Sequence, residues 1–223
     1  MNVEHFIPDA VRTTDFHADR GSNLYTSRFK RVLDVALVLA ALPFVLPFLA
    51  IMSLMVALDG GRPFYTQPRV GRGGRAFRLL KMRTMVHDAE AALERHLEAN
   101  PAARAQWEVK QKLTDDPRIT RVGRILRKTS LDELPQLWNV LTGDMSLVGP
   151  RPMMVNQRDL YPGTAYYELR PGITGPWQVS ERHESDFATR ARYDAEYLDD
   201  LSFGTDLRLL VSTVSVVAQG RGA

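Results

Sequence analysis

The sequence predicts an α+β, helix-rich fold in three parts. A tail covers residues 1–27, a proline-broken apolar membrane segment covers 28–59, and a single folded domain covers 60–223. Three observations predict it. No charge occurs from Val35 to Leu58, a run of 24 residues. Strand-like patterning is confined to a short stretch just after that run. Most of the remaining chain has helical spacing between Gly- and Pro-rich links. At 223 residues and 25.2 kDa, the chain argues against a second full-sized domain.

The tail mixes Pro, Asp, Arg, Ser and Thr without a sustained period, and Met1 to Ala10 lacks the basic start and apolar core of a secretory signal. The apolar segment opens on Arg28-Phe29-Lys30-Arg31. Its uncharged run is about 36 Å long as a helix, enough to cross a hydrocarbon core of roughly 30 Å. Pro43 and Pro47 interrupt it, four residues apart and nearly on one helix face, and each frees a carbonyl one turn earlier.

Both flanks are basic. Residues 1–31 hold five positive charges, and residues 60–83 hold seven with no acid. Positive flanks favour the cytoplasmic side. A re-entrant helical hairpin dipping into the inner leaflet satisfies both flanks, whereas a kinked span satisfies one; the hairpin is favoured.

In the domain, Pro63 to Gln67 reads as a strand, Gly71 to Gly74 as a turn and Ala76 to Leu80 as the partner strand. Helical spacing runs from Met82 to Ala99, and Asn100-Pro101 caps another helix reaching about Leu113. Ser130 to Glu133 fits a capping box opening a helix with Leu134, Leu137, Trp138 and Leu141 on its apolar face. Phe187 to Leu198 and Leu207 to Ala218 read as amphipathic helices. Trp107 and Trp138 are read as packing anchors; Trp177 is placed at the membrane interface or beneath a base.

Composition removes several chemistries. With no cysteine, disulfides, thiolate metal sites and cysteine nucleophiles are excluded. A net charge of +3 excludes a uniformly basic nucleic-acid coat, and no nucleic-acid partner is expected. His5, His17, His87, His96 and His183 form no metal pair at helical spacing. Gly71 to Gly74 lacks the spacing of a phosphate loop.

The informative pair is Asp132-Glu133. Acids in a first helical turn ordinarily serve the cap and the dipole. Here Arg118, Arg121, Arg124, Arg127 and Lys128 precede them and Arg151 lies shortly after, a setting suited to a Mg²⁺-bound diphosphate. Lys81 and Arg83 follow the apolar Phe77 to Leu80 and are read as pointing inward, Lys81 as a phosphate candidate; most of the other cations of 62–83 suit anionic headgroups.

Taken together, the motifs resemble the bacterial sugar transferases, small monotopic phosphoglycosyl transferases acting on undecaprenyl phosphate. The carrying segments are Lys30 to Asp34 with the proline-broken run, Phe77 to Met85, Asp116 to Thr120, Arg127 to Leu137, Gly143 to Pro152 and Arg170 to Gly175. The resemblance implies a cytoplasmic catalytic domain on the bacterial inner membrane, with a membrane helix broken at Pro47, although Leu46 stands where the family often has Ser.

It further implies that Asp132 attacks a UDP-sugar, releases UMP and carries a phosphosugar. Glu133 then helps undecaprenyl phosphate displace it, and Mg²⁺ is bound at least by Asp132. Lys81, Arg127 and Arg151 match phosphate-contacting positions; Asn139 and Asp144 match structural ones. Gln178 and Arg182 are candidate substrate contacts, beside a Glu181 that replaces the family's usual glycine. The segment Leu93 to Leu113 looks most like the exopolysaccharide-initiating branch that transfers galactose 1-phosphate, with glucose 1-phosphate as neighbour. Inner-leaflet lipids are expected partners, and a homo-oligomer is left open. Two alternatives are a membrane glycosyltransferase releasing UDP and a non-catalytic protein binding anionic lipid.

Overall fold

The computed structural model describes residues 25–110, 113–180 and 189–218. After a π-helical turn at Tyr25–Phe29, α1 runs from Lys30 to Leu58. It is the one described helix long and apolar enough to cross a membrane. Its helical assignment runs through Pro43 and Pro47, both of which lie inside it. Each ring removes one backbone hydrogen bond and crowds the carbonyl one turn earlier, which favours a kink at these positions.

Both ends of α1 pack on the same domain. Near its start, Asp34 accepts hydrogen bonds from Ser146 Oγ at 2.7 Å and Leu147 N at 3.1 Å, and Val38 packs with Leu79, Val140 and Met145. Near its end, Val56 packs with Met82 and Leu126, and Arg83 Nη2 donates to Val56 O at 2.7 Å. The middle is bare, with Phe44 81% exposed.

The domain is built around a hairpin. β1 (Phe64–Val70) pairs antiparallel with β2 (Ala76–Met82), in the register Tyr65↔Lys81, Gln67↔Leu79 and Arg69↔Phe77. Directly opposed residues share a face, so Arg69 and Lys81 project to the same side. The expected helix from Met82 begins only at α2 (Ala89–Ala99). Arg83 N is held by Pro63 O, and Thr84 O accepts from Thr120 N, which keeps the intervening chain extended. In α3 (Pro101–Lys110), Asn100 caps as expected, accepting from Ala103 N.

The basic segment forms α4 (Arg121–Lys128), capped by Thr120, whose side chain accepts from Gly123 N. Gly123 is obligatory: a Cβ there would lie 2.1 Å from Thr84 O. The predicted capping box does not form. Ser130 is left-handed at φ 56°, Leu131–Glu133 make a single 3₁₀ turn, and α5 (Gln136–Thr142) starts after Pro135. Without an N–H on Pro135, the turn closes through i→i−3 bonds such as Leu134 N to Leu131 O. Trp138 is 61% exposed on α5 and anchors no core.

The Gly- and Pro-rich links hold a second sheet. β3 (Ser146–Val148) runs parallel to β4 (Gly172–Thr174), with α6 (Ala165–Glu168) between them and α7 (Pro176–Ser180) beyond. Strands of three residues carry no detectable alternation in a sequence. A Cβ on Gly172 would lie 2.1 Å from Gly149 N, so this backbone contact demands glycine. α8 (Thr189–Asp199) and α9 (Phe203–Ala218) close the domain.

Candidate active site

The β-hairpin and the 3₁₀ turn place the sequence-predicted dyad against Lys81. Lys81 Nζ donates to Glu133 Oε1 at 2.8 Å and lies 3.5 Å from Asp132 Oδ2. Asp132 is 8% exposed. Burial pushes its carboxyl above the usual range; Lys81 and Arg127 oppose that shift, and Glu133 adds to it. The left-handed Ser130 tips the two acids onto a turn so tight that one ammonium reaches both.

Arg127, in the last turn of α4, donates from Nε to Thr84 Oγ1 at 2.8 Å. Thr84 is itself buried, and its carbonyl accepts from Thr120 N at 3.1 Å. The guanidinium is thereby held within electrostatic reach of Asp132. Arg151, just after β3, lies against the Trp177 ring at 5.8 Å from its centroid. Lys81, Glu133 and Arg151 line one cleft together with Arg69, Leu79 and Gln136. Three of the predicted phosphate contacts therefore stand around the dyad: Lys81 in direct contact, Arg127 and Arg151 on separate flanks.

Other predicted residues lie elsewhere. Gln178 is 2% exposed on α7, its amide atoms without hydrogen-bond partners among the described residues, and it is not among the cleft's lining residues. Arg182 and Glu181 lie outside the described residues. Asn139 clasps β2, donating to Arg78 O at 2.8 Å and accepting from Leu80 N at 2.9 Å. Asp144 accepts from Thr142 Oγ1 at 2.9 Å, on the other side of β2. Pro47 sits in the exposed middle of α1. The sequence alone did not single out Arg69, Thr84 or Gln136. Arg69 was recoverable, because a symmetric hairpin about Gly71–Gly74 puts it on the face of Lys81.

Among the described residues, no group of three or more His, Asp or Glu could hold a metal. Asp132 and Glu133 nonetheless offer adjacent hard oxygens beside a cation-rich cleft. That donor set fits Mg²⁺, which takes one or two carboxylates and completes its shell with substrate phosphates and water.

The chain is 46% identical over 202 residues to the UDP-galactose-lipid carrier transferase of Erwinia amylovora, covering 89% of this chain and 42% of that protein. It is 44% identical over 201 residues to the undecaprenyl-phosphate galactose phosphotransferase of Salmonella typhimurium, again covering 89% of this chain and 42% of the relative. This chain thus spans less than half the length of those two proteins. The exopolysaccharide production protein ExoY of Sinorhizobium fredii is 43% identical over 197 residues, 87% of each chain. The family model for bacterial sugar transferases matches residues 25–220, taking in α1, the hairpin, the dyad and α9, and the chain belongs to that family.

Proposed function

We propose that the protein transfers a hexose 1-phosphate from a UDP-sugar to undecaprenyl phosphate, releasing UMP, as the first membrane step of an exopolysaccharide or related glycan. The observation that carries this is Asp132, a buried carboxylate with raised proton affinity held 3.5 Å from a lysine that also grips Glu133. Galactose is favoured over glucose because relatives at 44–46% identity are named for galactose.

In the first half-reaction an Asp132 oxygen bonds to the β-phosphorus, the bridge to the α-phosphate breaks, and UMP leaves with the bridging oxygen. In the second, a phosphate oxygen of the lipid bonds to the same phosphorus, the Asp132–phosphorus bond breaks, and Glu133 takes any proton the lipid phosphate releases. Lys81 and Arg127 offset the anionic charge that gathers there. Asp132, with Glu133 beside it, would hold Mg²⁺, which supplies further neutralisation of the phosphates when bound.

The membrane arrangement rests on α1. A helix whose two ends pack on one domain leaves its bare middle to enter a bilayer and return, and Pro47 lies in that middle. The basic flanks put the domain on the cytoplasmic face of the inner membrane. The exposed Leu207, Val211 and Val214 of α9 suit contact with inner-leaflet lipid.

Membranes carrying the protein, incubated with UDP-galactose, undecaprenyl phosphate and Mg²⁺, are expected to release UMP. Release of UDP instead would assign transfer of the sugar alone. Without acceptor, the intact protein should gain the mass of a hexose phosphate, and a persistent absence of that adduct would sink the covalent route.

A further inference from the structure

The cleft lined by Lys81 and Glu133 carries two further cations, Arg69 and Arg151. Arg69 reaches it from β1, donating from Nη1 to Pro152 O at 3.0 Å and from Nη2 to Gln67 Oε1 at 2.7 Å, both neutral acceptors. Its Nε is buried without a hydrogen-bond partner among the described residues. Arg151 lines the same cleft. Among the described residues neither arginine forms an ion pair with a carboxylate, and Glu133, the acid nearest in effect, is held by Lys81.

The crowding has a cost. Burial first and Arg151 second hold the Arg69 guanidinium below its ordinary range. A third guanidinium, Arg190, lies over the Trp177 ring at 4.1 Å, and burial followed by Arg151 lowers it to about 10. Like charges kept from water are unfavourable unless an anion joins them. The backbone gives them no freedom to separate: Val70 N donates to Met153 O at 3.0 Å, and Arg69 bridges Met154.

We propose that Arg69 and Arg151, backed by Trp177, form a second phosphate subsite that binds the phosphate of the departing nucleotide. This rests on the function proposed above and adds to it a residue, Arg69, and a direction of approach. Arg127 stands on α4, whose Leu126 packs with Val56 of α1, so its flank borders the apolar helix and faces an incoming lipid. The neighbours of Arg69 and Arg151, Val70 and Met153, pack instead with Tyr161 and Tyr166, in a cluster with no residue of α1. A water-soluble nucleotide approaches from there. The cleft now holds about 20 Å³ of free space, so phosphate enters as the long Arg69 and Lys81 side chains swing off their present partners.

The test uses the full chain in nanodiscs, with UMP binding measured by calorimetry and both Michaelis constants by turnover. Arg69→Gln should weaken UMP at least tenfold, raise KM for the UDP-sugar similarly and leave KM for undecaprenyl phosphate within twofold. That unchanged constant also certifies the fold. Arg69→Lys restores charge without the planar fork and should fall between. If Arg69→Gln does not fold, Arg69→Lys decides, with at least a threefold loss of UMP affinity required. Wild-type UMP affinity in the variants, or an effect confined to undecaprenyl phosphate, overturns the subsite and leaves the Asp132 chemistry standing. A wild-type protein that binds no UMP and releases UDP overturns both.

Discussion

Two buried aspartates in this molecule each meet a lysine, and they are built to opposite ends. Asp206 on α9 accepts from Tyr25 Oη at 2.6 Å, from Tyr197 Oη at 2.5 Å and from Lys30 Nζ. Three donors converge on two oxygens, and the carboxylate ties α9 to the start of α1. Asp132 is nearly as buried, yet it shares a single ammonium with Glu133 and stands at the longer 3.5 Å. A satisfied carboxylate holds structure together; an under-satisfied one keeps a lone pair available and a proton affinity raised by burial.

The sharpest way to break this comparison is Asp132→Asn. Transfer should fall by roughly three orders of magnitude or more, since nothing else in the cleft replaces the nucleophile. Stability should move the other way. A carboxyl whose folded-state pKa lies above its unfolded value contributes stability that is complete below the unfolded pKa and lost as pH rises through the folded one. At neutral pH the neutral isostere escapes that loss, so thermal unfolding should show a Tm equal to or above wild type. A marked fall in Tm would make Asp132 structural.

Asp206→Ala should produce the converse. Removing one partner of a buried, hydrogen-bonded pair costs about 3 kcal/mol, so denaturant or thermal unfolding should register a clear loss. Chemistry in molecules still folded at low temperature should be close to normal. A selective loss of kcat with unchanged stability would show that the α1–α9 junction enters the reaction.

Between these extremes lies Lys81→Met. Lys81 is the strongest influence opposing the burial of Asp132. Without it the folded-state pKa of Asp132 rises further, and the ionised nucleophile appears only at higher pH. The acid limb of the kcat/KM profile should therefore move upward, with part of the lost activity recovered in alkaline buffer. A uniform loss with an unmoved limb would reduce Lys81 to a phosphate contact.

The same contrast explains what was legible in the sequence. The dyad, Lys81 and Arg127 carry chemistry in their residue types, and charge density around Asp132-Glu133 pointed to them. The hairpin was legible because Gly71 to Gly74 punctuates two short extended runs. The β3–β4 pair was not, since three-residue strands among Gly and Pro show no period. Ser130 misled for a physical reason: S-x-x-E promises a capping box, but Pro135 lacks the N–H an α-turn requires, and the chain tightens into a left-handed residue and a 3₁₀ turn. Asp206 gave no signal, because its partners Tyr25 and Lys30 lie 181 and 176 residues away.

Thr84 offers the smallest effect and the finest test of how the site is held. Its hydroxyl is the acceptor for Arg127 Nε, while its carbonyl fixes the cap of the helix that carries Arg127. Thr84→Val removes the first and keeps the second. A buried hydrogen bond to a charged group contributes about 1.5 kcal/mol, which corresponds to roughly a tenfold change. The loss should fall mainly on kcat, because an untethered Arg127 still supplies charge to bound substrate but no longer at a fixed position. Thr84→Ser restores the acceptor and should restore the rate. If Thr84→Ser is as slow as Thr84→Val, the methyl group packs the site and the hydroxyl does not position Arg127.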